Sequence, residues 1–432
     1  MKTIFTLIVA CAAVAAESTC FAQAADTDPK QRARAVRDLG KQGEDAIPQV
    51  VPYLADADPN VRVEATKALV EIGGPKTLEG LVRAAGDNDP EVQIRATDGL
   101  VNVYLPGYVK TGLSGTISRA GNSVKGKFTD TNDQVIDAFV MVRPEAIAAL
   151  GKLARGAANF DARANAARAA GVLRGRAAIP DLVEALHSKD DKLMYESLVA
   201  IQKIGDPEAA PRVTFLLRDL EEKIQVQALE TTGLLRNKDA APEVRDALNH
   251  ARTLKVRRAA LEALAMIADP ADRTLFVNNL KDKDDGVRAA AAEGIGRIRN
   301  PADRPAIEMA FNGEHGMSPR LSAAFALVEL GQLDTARFGP LRYLVNALNQ
   351  RSWRGVAIAF VIELARDAQI RQAIYTMLPE STKDEKQEIA MVLARSGDRD
   401  SIPVLEGLSR DPDPDVAAEG IRSLRSLRAR LP

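Results

Sequence analysis

Val61-Arg62-Val63-Glu64-Ala65, Val256-Arg257-Arg258-Ala259-Ala260 and Val287-Arg288-Ala289-Ala290-Ala291 restate one phrase, and weaker copies return about every 31 residues. Taking the small or apolar fifth residue as anchor gives 35, 65, 96, 166, 197, 228, 260, 291, 323, 357, 389 and 420. One step, from 96 to 166, spans 70 residues; the others span 30 to 34. A unit this short cannot bury its own apolar face, so twelve of them must stack, each covering the next. The 432 residues are 46% hydrophobic and 27% charged, which supplies apolar material for such a stack and is not a composition of disorder. A stack grows by addition, so the expectation is one elongated domain and not several separate cores.

The unit at 276–305 shows how each should fold. Phe276, Val277 and Leu280 end a first helix, Lys281 to Gly286 turns, Val287 to Ile298 forms a second helix, and Asn300-Pro301 stops it. Val287, Ala291, Ile295 and Ile298 recur at spacings of four, four and three, placing them on one inward face. Pro48, Pro180, Pro211, Pro242, Pro305 and Pro403 fall in links and first turns, where a missing amide hydrogen costs least. Each unit reads as a helical hairpin.

Asp58-Pro59-Asn60-Val61-Arg62, Asp284-Asp285-Gly286-Val287-Arg288 and Gly205-Asp206-Pro207 give this pattern its punctuation. In these motifs and in period the chain, from 29 to 432 apart from one interruption, resembles HEAT repeats, in particular the short form of phycobilisome-lyase-like (E-Z type) proteins. The resemblance implies an all-α fold, a right-handed α-solenoid of about twelve hairpins. It says little about activity, because such repeats serve scaffolds, adaptors and inhibitors as well as lyase subunits. An aspartate ahead of a helix caps its free amides, and an arginine near the helix start can reach an aspartate of its own or a neighbouring unit. The resemblance implies a buried ladder of this kind, with Asp58, Arg62, Asp285 and Arg288 as members. Met194, Gln225 and Ala417 stand at arginine positions and should break it.

Residues 1–24 obey a different rule: Lys2, a charge-free apolar stretch from Thr3 to Ala16, then small residues at Ala22-Gln23-Ala24. They read as a secretory signal cleaved after Ala24, leaving a periplasmic or secreted protein of an exported bacterial type. An alternative is a lipoprotein whose lipid-bearing residue is Cys11, within Ile8-Val9-Ala10-Cys11. No stretch reaches the roughly 20 apolar residues of a membrane-spanning helix. Cys11 and Cys20 are the two cysteines, so a cleaved chain would hold neither disulfide nor thiolate. A net charge of −1 offers no general field for nucleic acid.

The long step leaves residues 105–143 as an insertion between repeats 1–3 (25–104) and repeats 4–12 (144–432). Gly107, Gly112, Gly115, Gly121 and Gly126 argue against helix there, and Ile117 to Arg119 with Val124 to Phe128 read as a short β-hairpin. Val135, Ile136, Phe139 and Val140 fit either a helix face or a strand. Lys110, Arg119, Lys125 and Lys127 give this finger positive charge, either ordinary solvation or a contact for an acidic partner.

Signals of chemistry are thin. His187, His250 and His315 lie near turns of alternate repeats, too far apart to share a metal ion. No hydrolase elbow, Walker loop, zinc-helix or dinucleotide motif occurs, so neither catalytic residue, metal nor cofactor is expected. Asp411 to Asp415 alternates acids but lacks the glycine and glutamate of a calcium loop. Arg422, Arg425, Arg428 and Arg430 oppose Leu424, Leu427 and Leu431, as in a terminal helix capping a stack.

In HEAT arrays the second helices line the concave side. Counting from the first valine, offsets 3, 6 and 10 point away from buried positions 0, 4, 8 and 11. They read Glu64, Lys67, Glu71; Arg95, Asp98, Asn102; Glu196, Val199, Lys203; Gln227, Glu230, Leu234; Ala259, Glu262, Met266; Ala290, Glu293, Arg297; Ser322, Phe325, Glu329; and Val356, Ala359, Glu363. Glutamate dominates. Phe325, with Leu234 and Met266, is the expected anchor for a basic protein segment or extended peptide, unless local twist buries it between repeats nine and ten. The expected function is a non-catalytic protein-binding scaffold or adaptor that binds no nucleic acid; the alternative is an enzyme subunit of bilin-lyase type.

Overall fold

The computed structural model describes residues 28–108, 135–137 and 139–431. All regular structure there is helical, and every anchor falls on a helix. The expected β-hairpin, the basic residues Lys110, Arg119, Lys125 and Lys127, and the leader lie outside the described residues.

The chain divides into two compact units, one of residues 1–134 and 142–185, the other of 135–141 and 186–432. The first holds inner helices α1 (Pro29–Gly40), α2 (Pro59–Ile72), α4 (Pro90–Tyr104) and α6 (Phe160–Val172), with outer helices α3 (Leu78–Ala85), α5 (Pro144–Gly156) and α7 (Ile179–Ala185). The second has inner helices α8 (Asp191–Ile204), α9 (Glu222–Leu234), α11 (Leu254–Ile267), α13 (Asp285–Ile298), α15 (Met317–Glu329), α17 (Arg354–Leu364), α19 (Lys383–Ser396) and α21 (Pro414–Arg430). Between these run α10 (Ala241–Asn249), α12 (Arg273–Asn279), α14 (Arg304–Gly313), α16 (Pro340–Ala347), α18 (Ala368–Met377) and α20 (Ile402–Leu408). Inner helices of successive repeats pack side by side in each unit, the arrangement of an α-solenoid. Among the described residues no helix is long and apolar enough to cross a membrane.

Local chemistry explains the hairpins. Asp28, Asp58, Asp89, Asp190, Asp284 and Asp413 each precede an inner helix and accept from its first free amides. Pro180, Pro242, Pro305 and Pro403 occupy first turns, whereas Pro211 lies within a 3-10 turn, so the outer segment of repeat six is 3-10 turns at Pro207–Arg212 and Thr214–Arg218 instead of an α-helix. Val287, Ala291 and Ile295 are fully buried. Where inner helices approach most closely, glycine is required: a Cβ on Gly233 would stand 2.6 Å from Ala263 Cα, and one on Gly296 2.6 Å from Ala326 Cα.

The ladder runs between repeats. Arg62 donates through Nε to Asp87 Oδ2 at 2.7 Å and through Nη1 to Asp56 O at 3.1 Å, while the Asp58 carboxylate caps α2 and is not a partner of the Arg62 guanidinium. Arg288 reaches Glu314 of the next repeat at 2.8 Å as well as Asp285 at 2.7 Å. At Gln225 the ladder loses its ion pair: the amide donates to Leu217 O at 2.8 Å. Gln93 does likewise, donating to Asp87 O at 2.6 Å and accepting from Ala158 N at 2.9 Å, a neutral rung that bridges to the next repeat.

Val135, Ile136, Phe139 and Val140 belong to neither helix nor strand; the described residues from 135 to 143 are irregular. Ile136 is buried, Asp137 accepts from Arg422 at 3.2 Å, and Phe139 lies beneath the Arg425 guanidinium, 4.3 Å from it. This short segment therefore covers one face of α21. Arg428 pairs with Glu406 at 2.6 Å, so the basic tail is engaged with its own unit.

Candidate functional site

Acidic side chains gather on the inner helices of repeats six to ten, all in the C-terminal unit. Glu230, Glu262 and Glu293 share one register on α9, α11 and α13; Glu329 and Glu363 sit in the last turns of α15 and α17. A carboxylate in a last turn faces the negative end of the helix dipole and needs a cation. Arg299 supplies one to Glu329. Glu363 has two: Arg297 Nε at 3.0 Å and Arg236 Nη2 at 2.8 Å. Arg297 also donates through Nη1 to Glu293 Oε2 at 2.9 Å, and Ser322 Oγ donates to Glu293 Oε1 at 3.0 Å.

The strip thus has two halves. Around repeats eight to ten the chain's own arginines neutralise Glu293, Glu329 and Glu363. Burial pushes the Glu363 carboxyl up, but Arg297 and then Arg236 outweigh it and hold the group below its usual range. Burial of Glu329 prevails over Arg299 and raises that carboxyl. In repeats six and seven Glu230 and Glu262 have no hydrogen-bonded cation among the described residues. Burial raises Glu230, and Glu262 is pushed up to about 7 by burial, then by the charges of Glu293 and Glu230. The Glu262 side chain is nonetheless open to water. It is wet on one side, with protein and like charges on the others. Leu234, 43% exposed, and the partly exposed Met266 form the apolar edge of this open half.

The expectation for Phe325 is corrected. Its ring is 0% exposed, stacked on Phe360 of repeat ten at 4.7 Å between centroids and covered by the Arg297 guanidinium at 4.8 Å. Curvature between repeats eight and ten closes over it, so Phe325 is core and not an anchor. Other positions expected to face solvent are also buried: Asp98, Glu196, Val199, Gln227, Ala259, Ala290 and Ser322. Most stand at offset 3. At about 100° per residue that offset lies a quarter turn from the centre of the buried arc, where the adjacent inner helix covers it. Arg297, whose helical offset points it outward, is the buried centre of the cluster.

His187, His250 and His315 are exposed, His187 stacked on Phe215 at 4.6 Å. No group of three or more His, Cys, Asp or Glu residues is placed to hold a metal ion among the described residues. A cleft of about 710 Å³ in the N-terminal unit lies between Ala85, Asn88, Gln93, Glu145 and Lys152. Its floor is the ladder itself, since Gln93 bonds Asp87 O and Ala158 N.

A family model described as HEAT repeats matches residues 19–101, 147–219 and 211–293, more than half of the chain. The chain belongs to the HEAT-repeat family. No curated protein matches it significantly. Among solved structures, this HEAT-repeat protein is similar to the complex of CpcE and CpcF of phycocyanin lyase from Nostoc sp. PCC7120. Identity is 21% over 62% of this chain and 92% of that one, with a TM-score of 0.35. It is also similar to importin beta, at 15% identity over 89% of this chain and 57% of that one, with a TM-score of 0.39. An engineered protein matches at 21% identity over 88% of this chain and 98% of that one, TM-score 0.34. Likeness at these scores transfers neither ligand nor partner.

Proposed function

We propose that this HEAT-repeat protein is a non-catalytic binding scaffold whose open acidic strip, Glu230, Glu262, Leu234 and Met266, takes an extended basic segment of a partner protein. The observation behind this reading is that Glu262 is water-accessible, lacks a hydrogen-bonded cation and is flanked by two further carboxylates. A lysine or arginine seated there would offset that repulsion, while its stem packs on Leu234 and Met266. The leader and the basic residues of the insertion complete the proposal: residues 1–24 direct export to the periplasm or beyond, and Lys110, Arg119, Lys125 and Lys127 supply a second contact for acidic surfaces. The test is fluorescence anisotropy with a labelled octalysine peptide at 50 mM and 500 mM salt. The Glu230→Gln/Glu262→Gln double variant should weaken binding at least tenfold at low salt, and equal binding by both proteins would overturn the assignment.

A further inference from the structure

In a stacked array each repeat ordinarily touches its neighbours alone. The C-terminal unit departs from this at Glu363. This carboxylate, on repeat ten, is held by Arg297 of repeat eight and by Arg236 at the end of repeat six. Arg297 in turn holds Glu293 and covers Phe325 of repeat nine. A single glutamate thereby ties together inner-helix ends that the chain separates by 66 and 127 residues.

The two arginines differ in kind. The Arg297 side chain is 4% exposed and packed on an aromatic ring, so it is a fixed part of the core. The Arg236 side chain is 38% exposed and extends from beyond the end of α9. Its backbone has φ +54°, a left-handed conformation that glycine adopts freely and a residue with a Cβ does not. The same register is glycine at Gly205 and Gly331, but alanine at Ala268 (φ +55°) and arginine at Arg174 (φ +49°), all in the left-handed region. Arg299 shares this register and conformation, and it too reaches a last-turn glutamate, Glu329. At Arg236 and Arg299 the guanidinium offsets a carboxylate at a helix C-terminus.

We propose that Arg236 is a releasable latch that fixes the curvature of repeats six to ten by clasping Glu363, while Arg297 keeps that glutamate in place whether the latch is shut or open. Closed, it draws the C-terminal ends of α9 and α17 together. Open, it lets repeats six and ten separate and widens the concave face between them. An ion pair with one partly exposed member weakens as salt rises, so the latch should loosen at high ionic strength. This property does not depend on the partner proposed above.

The test uses the full chain with Cys11 and Cys20 changed to Ser and spin labels on cysteines replacing the exposed Asp239 and Arg366. Electron–electron distance measurements on the parent should give one narrow distribution at 50 mM salt and a longer, broader one at 1 M. Arg236→Gly is the decisive variant, because glycine suits φ +54° and the substitution leaves Arg297 on Glu363. It should show the longer, broader distribution at 50 mM salt, with amide exchange at the end of α17 roughly three- to tenfold faster. Glu363→Gln should match it in distance. A distribution and exchange rate in Arg236→Gly equal to the parent's would overturn the latch. A parent distribution that ignores salt would do the same. Arg236 Nη2 also lies 3.9 Å from Met266 Sδ, so the two proposals are separated by readout: the latch by distance and exchange in Arg236→Gly, the strip by octalysine anisotropy in the Glu230→Gln/Glu262→Gln variant, which leaves Arg236 and Glu363 in place.

Discussion

Replacing Phe325 with alanine should destabilise the C-terminal unit. Removing a fully buried phenylalanine costs about 3–5 kcal/mol, because the transfer energy of the ring is lost and a cavity remains. Here the loss falls near the middle to upper part of that range. The stack on Phe360 at 4.7 Å disappears, and the Arg297 guanidinium loses the ring on which it lies at 4.8 Å. Taking about 4 kcal/mol, and roughly 2–4 °C per kcal/mol for a unit of this size, the melting transition should fall by about 10 °C. Circular dichroism melts of the full chain measure this, with Met309→Ala, at an exposed position, as the control expected to change little. Amide exchange should accelerate first in α15 and α17. A Phe325→Ala protein that melts within about 2 °C of the parent would show that the ring is not core, and the burial account would be refuted.

Four other outcomes follow from the same packing and charge. Folding raises the Glu262 carboxyl from 4.5 to about 7, so the native state keeps a proton that the unfolded chain releases between those values. The group therefore costs stability increasingly as pH climbs from about 4.5 to 7, and fully above; Glu262→Gln should raise the melting temperature at pH 8 and leave it unchanged at pH 4. Arg62→Ala strips the partner from the half-buried Asp87 and should cost about 3 kcal/mol, against about 1 kcal/mol for losing the Asp58 cap in Asp58→Ala; equal costs in urea titrations would contradict the ladder. Gly296→Ala gains up to about 1 kcal/mol of helix propensity, yet its Cβ would stand 2.6 Å from Ala326 Cα, so net destabilisation is expected in thermal melts. Gly407→Ala, with nothing within 4 Å of the new atom, should instead stabilise, and a matching sign in the two variants would count against close approach as the cause.

Periodicity made the hairpins legible because what builds them is local. Asp58 or Asp284 ahead of a helix caps it whatever lies elsewhere in the chain, and Val287, Ala291 and Ile295 turn inward because their spacing matches the helix. The ladder was legible in outline, since Arg62 and Arg288 stand at the expected places. Its partners were less so: Arg62 passes over Asp58 to Asp87, a choice set by the distance between stacked turns and by the cap already using Asp58.

The acidic strip was visible as glutamates in register, but its division into an open and a neutralised half was not. A helical wheel treats each helix as if it were alone, so it gave Phe325 and Glu262 the same outward direction; one is core and the other is wet. What separates them is curvature, the sum of small rotations at each interface between repeats, and no single unit records that sum. Arg236 did leave a trace in the sequence, as arginine at the post-helix position where Gly205 and Gly331 stand in other repeats. Such a substitution places a long cation at a site whose backbone favours glycine. At Arg236 it has a use because the stacked repeats bring a distant carboxylate, Glu363, within reach. Arginine in this register does not by itself mark such a contact, since Arg174 and Arg299 share the position and Arg299 pairs with Glu329 of the adjacent repeat; what sets Arg236 apart is a partner four repeats away, which only the stacked array supplies.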